Sequence, residues 1–326
     1  MAVRAVRDAL ATRVRWDSVV AVQNTLRCSA ADAWFTHFPL LGNELHYVFL
    51  LPGLAWFVAD SGGVARRFAL ISFATCLNTN ATKDLMRLPR PPRHLHVRVD
   101  EHIAQQYGFP STHSAHAIAQ AWLLAREAIM FGAASAGVAW VLAVCHTLHV
   151  CTSRLYMGVH SMADVLGGLT IGALWIFLLE TGGRRLDAFT VESTAGLLCA
   201  LAFTLGGVAC CPDRRHTNSA FTELLAFGGL YLGACLMTGS IGRAVGERPH
   251  VALDATLGAL ILQLACGLIA LGVFRTAVSL AAKAVVRRLP PPLVPSAELA
   301  RHLFVNGLAG VFVLGVHPIL LLPRGE

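Results

Sequence analysis

The stretch "CTSRLYMGVHSMADVLGG", residues 151–168, joins two long apolar runs at 128–150 and 162–179. Each run approaches the ~20 residues that cross a ~30 Å hydrocarbon core as a helix. Arginine, histidine and aspartate are costly at that depth and mark cavities or sites where they occur. Arg154, His160 and Asp164, gathered at this joint, therefore point to a polar site where two membrane helices meet.

Composition extends the same reading. The chain has 326 residues, 55% of them hydrophobic and only 14% charged, against roughly 25% charged in soluble globular proteins. A further run covers 253–274. A soluble fold would have to hide all of these runs in one core, which a chain of this size rarely builds. The net charge of +7 does not indicate nucleic acid, because no clustered basic face with an accompanying binding motif is present. Arginines instead flank apolar runs, as at Arg66-Arg67, Arg184-Arg185 and Arg287-Arg288, where long side chains reach headgroups. The nine cysteines lie mostly within apolar runs and show no Cys-x-x-Cys spacing, so they read as packing residues.

Periodicity and breaks predict an all-α polytopic bundle of about 8–10 transmembrane helices, with segments near 42–60, 65–82, 113–131, 133–152, 161–180, 193–210, 219–239, 251–274 and 303–322. Three parts are expected: a basic interfacial segment over 1–38, a membrane-embedded core over 39–190 and additional helices over 191–326. Pro89, Pro91 and Pro92 exclude a continuous helix through the polar segment 83–112. Alternating helix directions bring 83–113 and 153–164 to one membrane face.

Three clusters then share that face: "KDLMRLPRP" (83–91), "PSTH" (110–113) and "SRLYMGVHSMAD" (153–164). Lys83, Arg90 and Arg154 are fixed cations, and guanidinium forks match phosphate oxygens in pairs. His113 and His160 can attack phosphorus or carry protons, and Asp164 four residues beyond His160 can fix its tautomer. The chemistry these residue types suit is in-line phosphoryl transfer through a phosphohistidine, with His113 as acid and base. The three cations supply the positive charge, so the clamp can do without a metal or other cofactor.

In order and internal spacing, Lys83, Arg90-Pro91, Pro110-Ser111-x-His113, and Ser153-Arg154 followed by His160 and Asp164 resemble the type-2 phosphatidic acid phosphatase superfamily. Within it, "LGNELHYVFLLP" (41–52), "TKDLMRLPRPP" (82–92), "YGFPSTHSAH" (107–116) and "SRLYMGVHS" (153–161) are most similar to the sphingosine-1-phosphate phosphatases. The resemblance implies a helical phosphatase core of the phosphatidic acid phosphatase/haloperoxidase type. It implies His160 as nucleophile, Asp164 as its partner, His113 as acid-base, and Lys83, Arg90, Ser111, Thr112 and Arg154 as phosphate-binding residues. It also implies a metal-independent enzyme acting on a lipid phosphate in the endoplasmic reticulum membrane, its site facing the lumen. Thr112 stands where the wider superfamily commonly has glycine, a feature the sphingosine-phosphate branch shares.

Other readings attach to the remaining polar groups. Arg87 suits an interfacial anchor. His113 and His116, three apart, suggest a metal-binding pair without a third ligand at helical spacing, and His94, His96, Asp100, Glu101 and His102 are irregularly spaced in a loop, so a solvated loop or substrate rim fits the second group better. Asp213, Arg214, Arg215 and His216 fit a loop or a rim of the same face equally. A luminal site would put the basic segments around Arg4–Arg27 and Arg287-Arg288 on the lumenal side, opposite to the positive-inside tendency. Rival functions are hydrolysis of phosphatidate, a polyprenyl pyrophosphate or a sugar phosphate and, in another class, a transporter or an inactive lipid-binding protein.

Overall fold

The computed structural model describes residues 7–8, 16–37, 51–56, 63–97, 106–212, 219–239 and 257–316, and among them the chain is helical without a strand. The main helices are α1 (Asp17–Leu26), α2 (Ser29–His37), α3 (Gly63–Met86), α4 (Thr112–Met130), α5 (Ala136–Tyr156), α6 (Met162–Leu178), α7 (Arg184–Glu192), α8 (Thr194–Cys210), α9 (Ser219–Thr238), α10 (Leu257–Val286) and α11 (Val294–Val311).

Among the described residues, five segments are long and apolar enough to cross a membrane: Ala136–Tyr156, Met162–Glu192, Ala220–Thr238, Ile261–Val286 and Pro291–Leu314. α8 is apolar but shorter. α3 and α4 interrupt their apolar runs with Arg66, Arg67, Lys83 and Asp84, and with Arg126 and Glu127. The span expected at 42–60 lies largely outside the described residues, of which 51–56 are helical. α10 turns Ile261, Leu262, Ile269, Val273, Leu280 and Val285 outward, an exterior that suits hydrocarbon better than water.

Helix ends depart from the sequence reading for local reasons. The helix expected to stop near 274 continues to Val286, because Arg275 and Lys283 can lie along it with their charges extended. Pro290–Pro292 then stop it, and Pro295 sits in the first turn of α11, where a missing N–H costs nothing. Beyond α6 a π-helical turn, Leu179–Gly183, carries the chain into α7, past the end expected near 180.

The chain divides into two units. The first comprises Met1–His46, Ala74–Thr181 and Cys211–Asp213. Its centre is α4, packed on both α5 and α6, with α1 against α5. Gly168 and Gly172 face α4 so closely that an added Cβ would strike the carbonyls of Ser111 and Ala115. Small residues one helical turn apart let helix backbones approach in this way. The basic amino-terminal segment, read from sequence as interfacial, supplies α1 and α2 to this unit; Phe35 of α2 stacks on His149 and lies 4.6 Å, centroid to centroid, from Tyr156.

The second unit comprises Tyr47–Phe73, Gly182–Cys210 and Arg214–Glu326. α9 and α11 meet through Gly229, Gly233 and Gly310, each facing backbone of the other helix. A buried ion pair lies in the same unit: Arg66 Nε and Nη2 each donate to Asp187 at 2.7 Å, and Arg67 Nη1 lies 3.4 Å from Asp187 Oδ2. Removing one member of such a pair leaves an uncompensated buried charge. Asp187→Leu is expected to cost about 3–5 kcal/mol, whereas Arg66→Leu costs less because Arg67 remains beside Asp187. Thermal unfolding in detergent should rank wild type above Arg66→Leu and Arg66→Leu above Asp187→Leu; an Asp187→Leu midpoint equal to wild type would contradict the role given to the pair.

Candidate active site

All eight residues singled out from sequence lie in the first unit. Ser111 caps α4, its Oγ accepting from the Ser114 N–H at 3.3 Å, while its own N–H donates to the Asp164 carbonyl at 2.9 Å. The cap thus ties the start of α4 to the start of α6. The glycine seam below it makes that approach possible.

Asp164 is held by a capping box. Its Oδ2 accepts from the Ser161 N–H at 2.7 Å, and Ser161 Oγ accepts from the Asp164 N–H at 3.2 Å. The sequence places the start of this helix near residue 161. The helix begins at Met162, so His160 precedes the cap and meets Asp164 across it, Nδ1 to Oδ2 at 3.4 Å. The Ser-x-x-Asp spacing of a capping box was present in the sequence and would have located this start. Gly108 closes the other side, since an added Cβ there would stand 3.1 Å from Asp164 Oδ2.

Arg90 determines how His160 is protonated. Its Nη1 donates to the Val159 carbonyl at 2.8 Å and lies 3.1 Å from His160 Nε2, while Nε donates to the Gln106 carbonyl at 3.0 Å. A guanidinium has donors and no acceptor, so Nε2 must present its lone pair and the ring proton sits on Nδ1, toward Asp164. This is the tautomer a nucleophilic imidazole requires. The 3.4 Å separation is longer than a formed hydrogen bond. His160 Nδ1 and Asp164 Oδ1 are both buried without a hydrogen-bond partner among the described residues. Such contacts commonly tighten when substrate binds.

Lys83, at the end of α3, donates to Thr112 Oγ1 at 2.8 Å, and Thr112 donates in turn to Thr79 Oγ1 at 3.1 Å. The threonine at the commonly glycine position therefore orients a cation, a part beyond the phosphate binding expected of it, and Thr79, a polar residue within its apolar span, supports it. Arg154 is buried at the end of α5, its Nε donating to Ser153 Oγ at 3.1 Å. His113, in the first turn of α4, feels the charges of Arg154, His160, His116 and Lys83.

Elsewhere the outcome differs by residue. Arg87 is exposed and bonds the Asp84 carbonyl. His96 contacts the Pro91 carbonyl at 3.0 Å. Asp100–His102, Asp213–His216 and Gly42–Glu44 lie outside the described residues. No group of three metal-ligating side chains occurs among the described residues.

The charges of Lys83, Arg90 and Arg154 all act on His160, and with Asp164 as the carboxylate of the cluster they leave a formal excess of two positive charges. A phosphate monoester carries about −1.5 to −2 at neutral pH, so the deficit matches that group. Burial, then the charges of Arg90, Lys83 and Arg154, hold His160 well below the usual histidine range. Burial lowers Arg90 to about 10, opposed by Asp164 and reinforced by Arg154.

Residues 65–184, which span every one of these side chains, match the PAP2 superfamily. Among the chain's relatives, human "Sphingosine-1-phosphate phosphatase 2" is 31% identical over 161 residues, covering 49% of this chain and 40% of that protein. Rat "Sphingosine-1-phosphate phosphatase 1" is 34% identical over 198 residues, covering 58% and 44%, and "Lipid phosphate phosphatase delta" of Arabidopsis thaliana is 29% identical over 214 residues, covering 62% and 50%. The chain thus spans about half the length of the curated relatives it matches, and no solved structure matches it.

The lowered His160 pKa has a sign that pH can read. On the proposal that neutral His160 is the attacking group, kcat/KM for a phosphomonoester should hold its plateau as pH falls through 6.5, once the substrate's own ionisation is allowed for. Arg90→Gln removes the largest of the charges that lower it and should move the acid limb to higher pH. A wild-type limb centred at or above 6.5 would contradict this electrostatic account.

Proposed function

We propose that the chain is an integral membrane phosphatase that hydrolyses a lipid phosphomonoester, sphingosine 1-phosphate or a related long-chain base phosphate, through a phosphohistidine. The observation that carries the chemistry is the Arg90–His160–Asp164 arrangement, a buried imidazole with Nε2 presented beside three cations and Nδ1 turned to a carboxylate. The printed names of the human and rat relatives support the choice of substrate. The apolar helices support an amphiphilic one, whose tail stays in hydrocarbon while its head reaches the cations.

His160 Nε2 attacks phosphorus in line with the ester oxygen, forming a P–N bond as the P–O bond breaks. His113 gives its proton to the departing alkoxide. His160 becomes positively charged in this step, and Asp164 stabilises the Nδ1–H. Water then attacks phosphorus with His113 taking its proton, the P–N bond breaks, and inorganic phosphate leaves with the imidazole restored. Lys83, Arg90, Arg154 and the groups at the start of α4, Ser111 and Thr112, hold the phosphoryl oxygens; no metal is required because these cations carry the neutralisation. The resemblance to the sphingosine-phosphate branch further suggests the endoplasmic reticulum membrane and a luminal site.

Two experiments test this reading. Wild type incubated with 32P-labelled lipid phosphate and quenched in alkaline detergent should retain base-stable, acid-labile label, and His160→Ala should retain none. Arg90→Ala or Arg154→Ala should lower turnover by about 10²–10³, with wild-type rates unchanged by chelator; label on His160→Ala or near-normal clamp variants would refute the assignment. In a side-by-side panel, long-chain base phosphates should outrun phosphatidate, polyprenyl pyrophosphate and sugar phosphate, with hydrolysis latent in sealed microsomes until permeabilised. A preference for any other substrate would replace the proposed one, and absence of all hydrolysis would favour a binding protein or transporter.

A further inference from the structure

The turn that presents His160 is short of its own support. α5 ends at Tyr156, and Gly158 takes a left-handed backbone, φ 71°, before His160. The last carbonyls of a helix have no intrahelical partner. One of them, Tyr156 O, accepts from Gln23 Nε2 of α1 at 2.8 Å. The same nitrogen donates at 2.7 Å to the carbonyl of Leu95, at the end of the 3-10 turn Arg93–Leu95. A carboxamide nitrogen has two hydrogens, and these two carbonyls use both. Gln23 is buried, 6% exposed; its bond to Tyr156 is buried and its bond to Leu95 part-buried.

The two strands of chain it joins are the two that carry Arg90 and His160. Leu95 follows Arg90 by five residues and Tyr156 precedes His160 by four. They already touch: Val97 N–H donates to the Met157 carbonyl at 3.2 Å, and Gly158 packs so closely on the Leu95 carbonyl that no side chain fits there. Tyr156 is gripped at its other end as well, its hydroxyl donating to Asp32 Oδ1 of α2 at 2.6 Å. Gln23 and Asp32 both precede the 65–184 region that matches the PAP2 superfamily.

We infer that Gln23 is a positioning residue of the phosphatase site, a two-pronged donor from outside the matched domain that sets the separation of Arg90 and His160 by clamping Leu95 and Tyr156. It touches neither substrate nor reacting atoms. It acts through the turn at 157–160, and with the clamp released the Arg90 to His160 Nε2 contact loosens and water reaches the ring. The inference rests on the phosphatase reading above.

The test uses the full chain in detergent with a long-chain base phosphate. Gln23→Met keeps the length and apolar stem but has no donor. Per folded molecule, kcat should fall on the order of 10-fold to 100-fold, because small misplacements of reacting groups carry such losses. KM should stay within about twofold, and the acid limb of kcat/KM should move up toward 6.5 as His160 loses burial. A Gln23 that merely packs α1 would lower folded yield while kcat per folded molecule and the acid limb stay at wild-type values, and that result overturns the inference. Should Gln23→Met fail to fold, Gln23→Asn decides, since it keeps both hydrogens but is one methylene too short to reach both carbonyls; the same kcat loss and limb shift are expected, and wild-type kinetics overturn the proposal. Wild-type protein without hydrolysis removes the phosphatase reading itself, and this inference with it, whereas active wild type with unaltered variants removes Gln23 alone.

Discussion

The approach of α4 to α6 is the constraint on which the site depends. Helices come together only as far as their side chains allow, and Gly168 and Gly172 remove the Cβ atoms that would hold these two apart. Only at that distance can the Ser111 N–H reach the Asp164 carbonyl. With that contact made, the cap of α4, the capping box of α6 and Gly108 pack around one carboxylate. Thr112 then falls where Lys83 can reach it. A few missing methyl groups in the seam thus govern the spacing of side chains a turn or more away.

Close packing alone would not keep three cations near one another. Each is secured by a neutral acceptor from the protein: Lys83 by Thr112, Arg90 by the carbonyls of Gln106 and Val159, and Arg154 by Ser153. Neutral acceptors orient a cation without cancelling its charge, so the positive excess stays available to an anion. That excess also lowers His160, keeping the imidazole neutral, and Arg90 selects the tautomer by occupying Nε2 with a donor. Under the proposed function, a phosphoryl group that takes the place of that contact meets a lone pair already pointing at it.

The ion pair of the second unit handles charge in the opposite way. Arg66 and Asp187 meet through two 2.7 Å hydrogen bonds, with Arg67 nearby, and the carboxylate is saturated. Asp164, by contrast, keeps Oδ1 without a partner among the described residues and stands 3.4 Å from the ring it serves. Saturation suits a fixed brace. In the proposed mechanism, an acid that must answer a charge arising on a neighbouring ring needs the spare capacity.

Much of this was legible in the chain itself. Apolar runs of membrane length set the helical class, because hydrocarbon leaves a lone segment little choice but to bond its backbone internally. Residue types at fixed spacing singled out His113, His160, Asp164, Lys83, Arg90 and Arg154, because phosphate chemistry needs forks, bases and an orienting acid. Tertiary structure alone decided how these meet: the His160–Asp164 pairing across a cap, the use of Thr112 to aim Lys83, the imidazole tautomer chosen by Arg90, and the docking of α1 by Gln23. Those outcomes depend on which backbone atoms of distant segments come within 3 Å of a side chain. Local spacing carries no information about that distance, which the packing of helices determines.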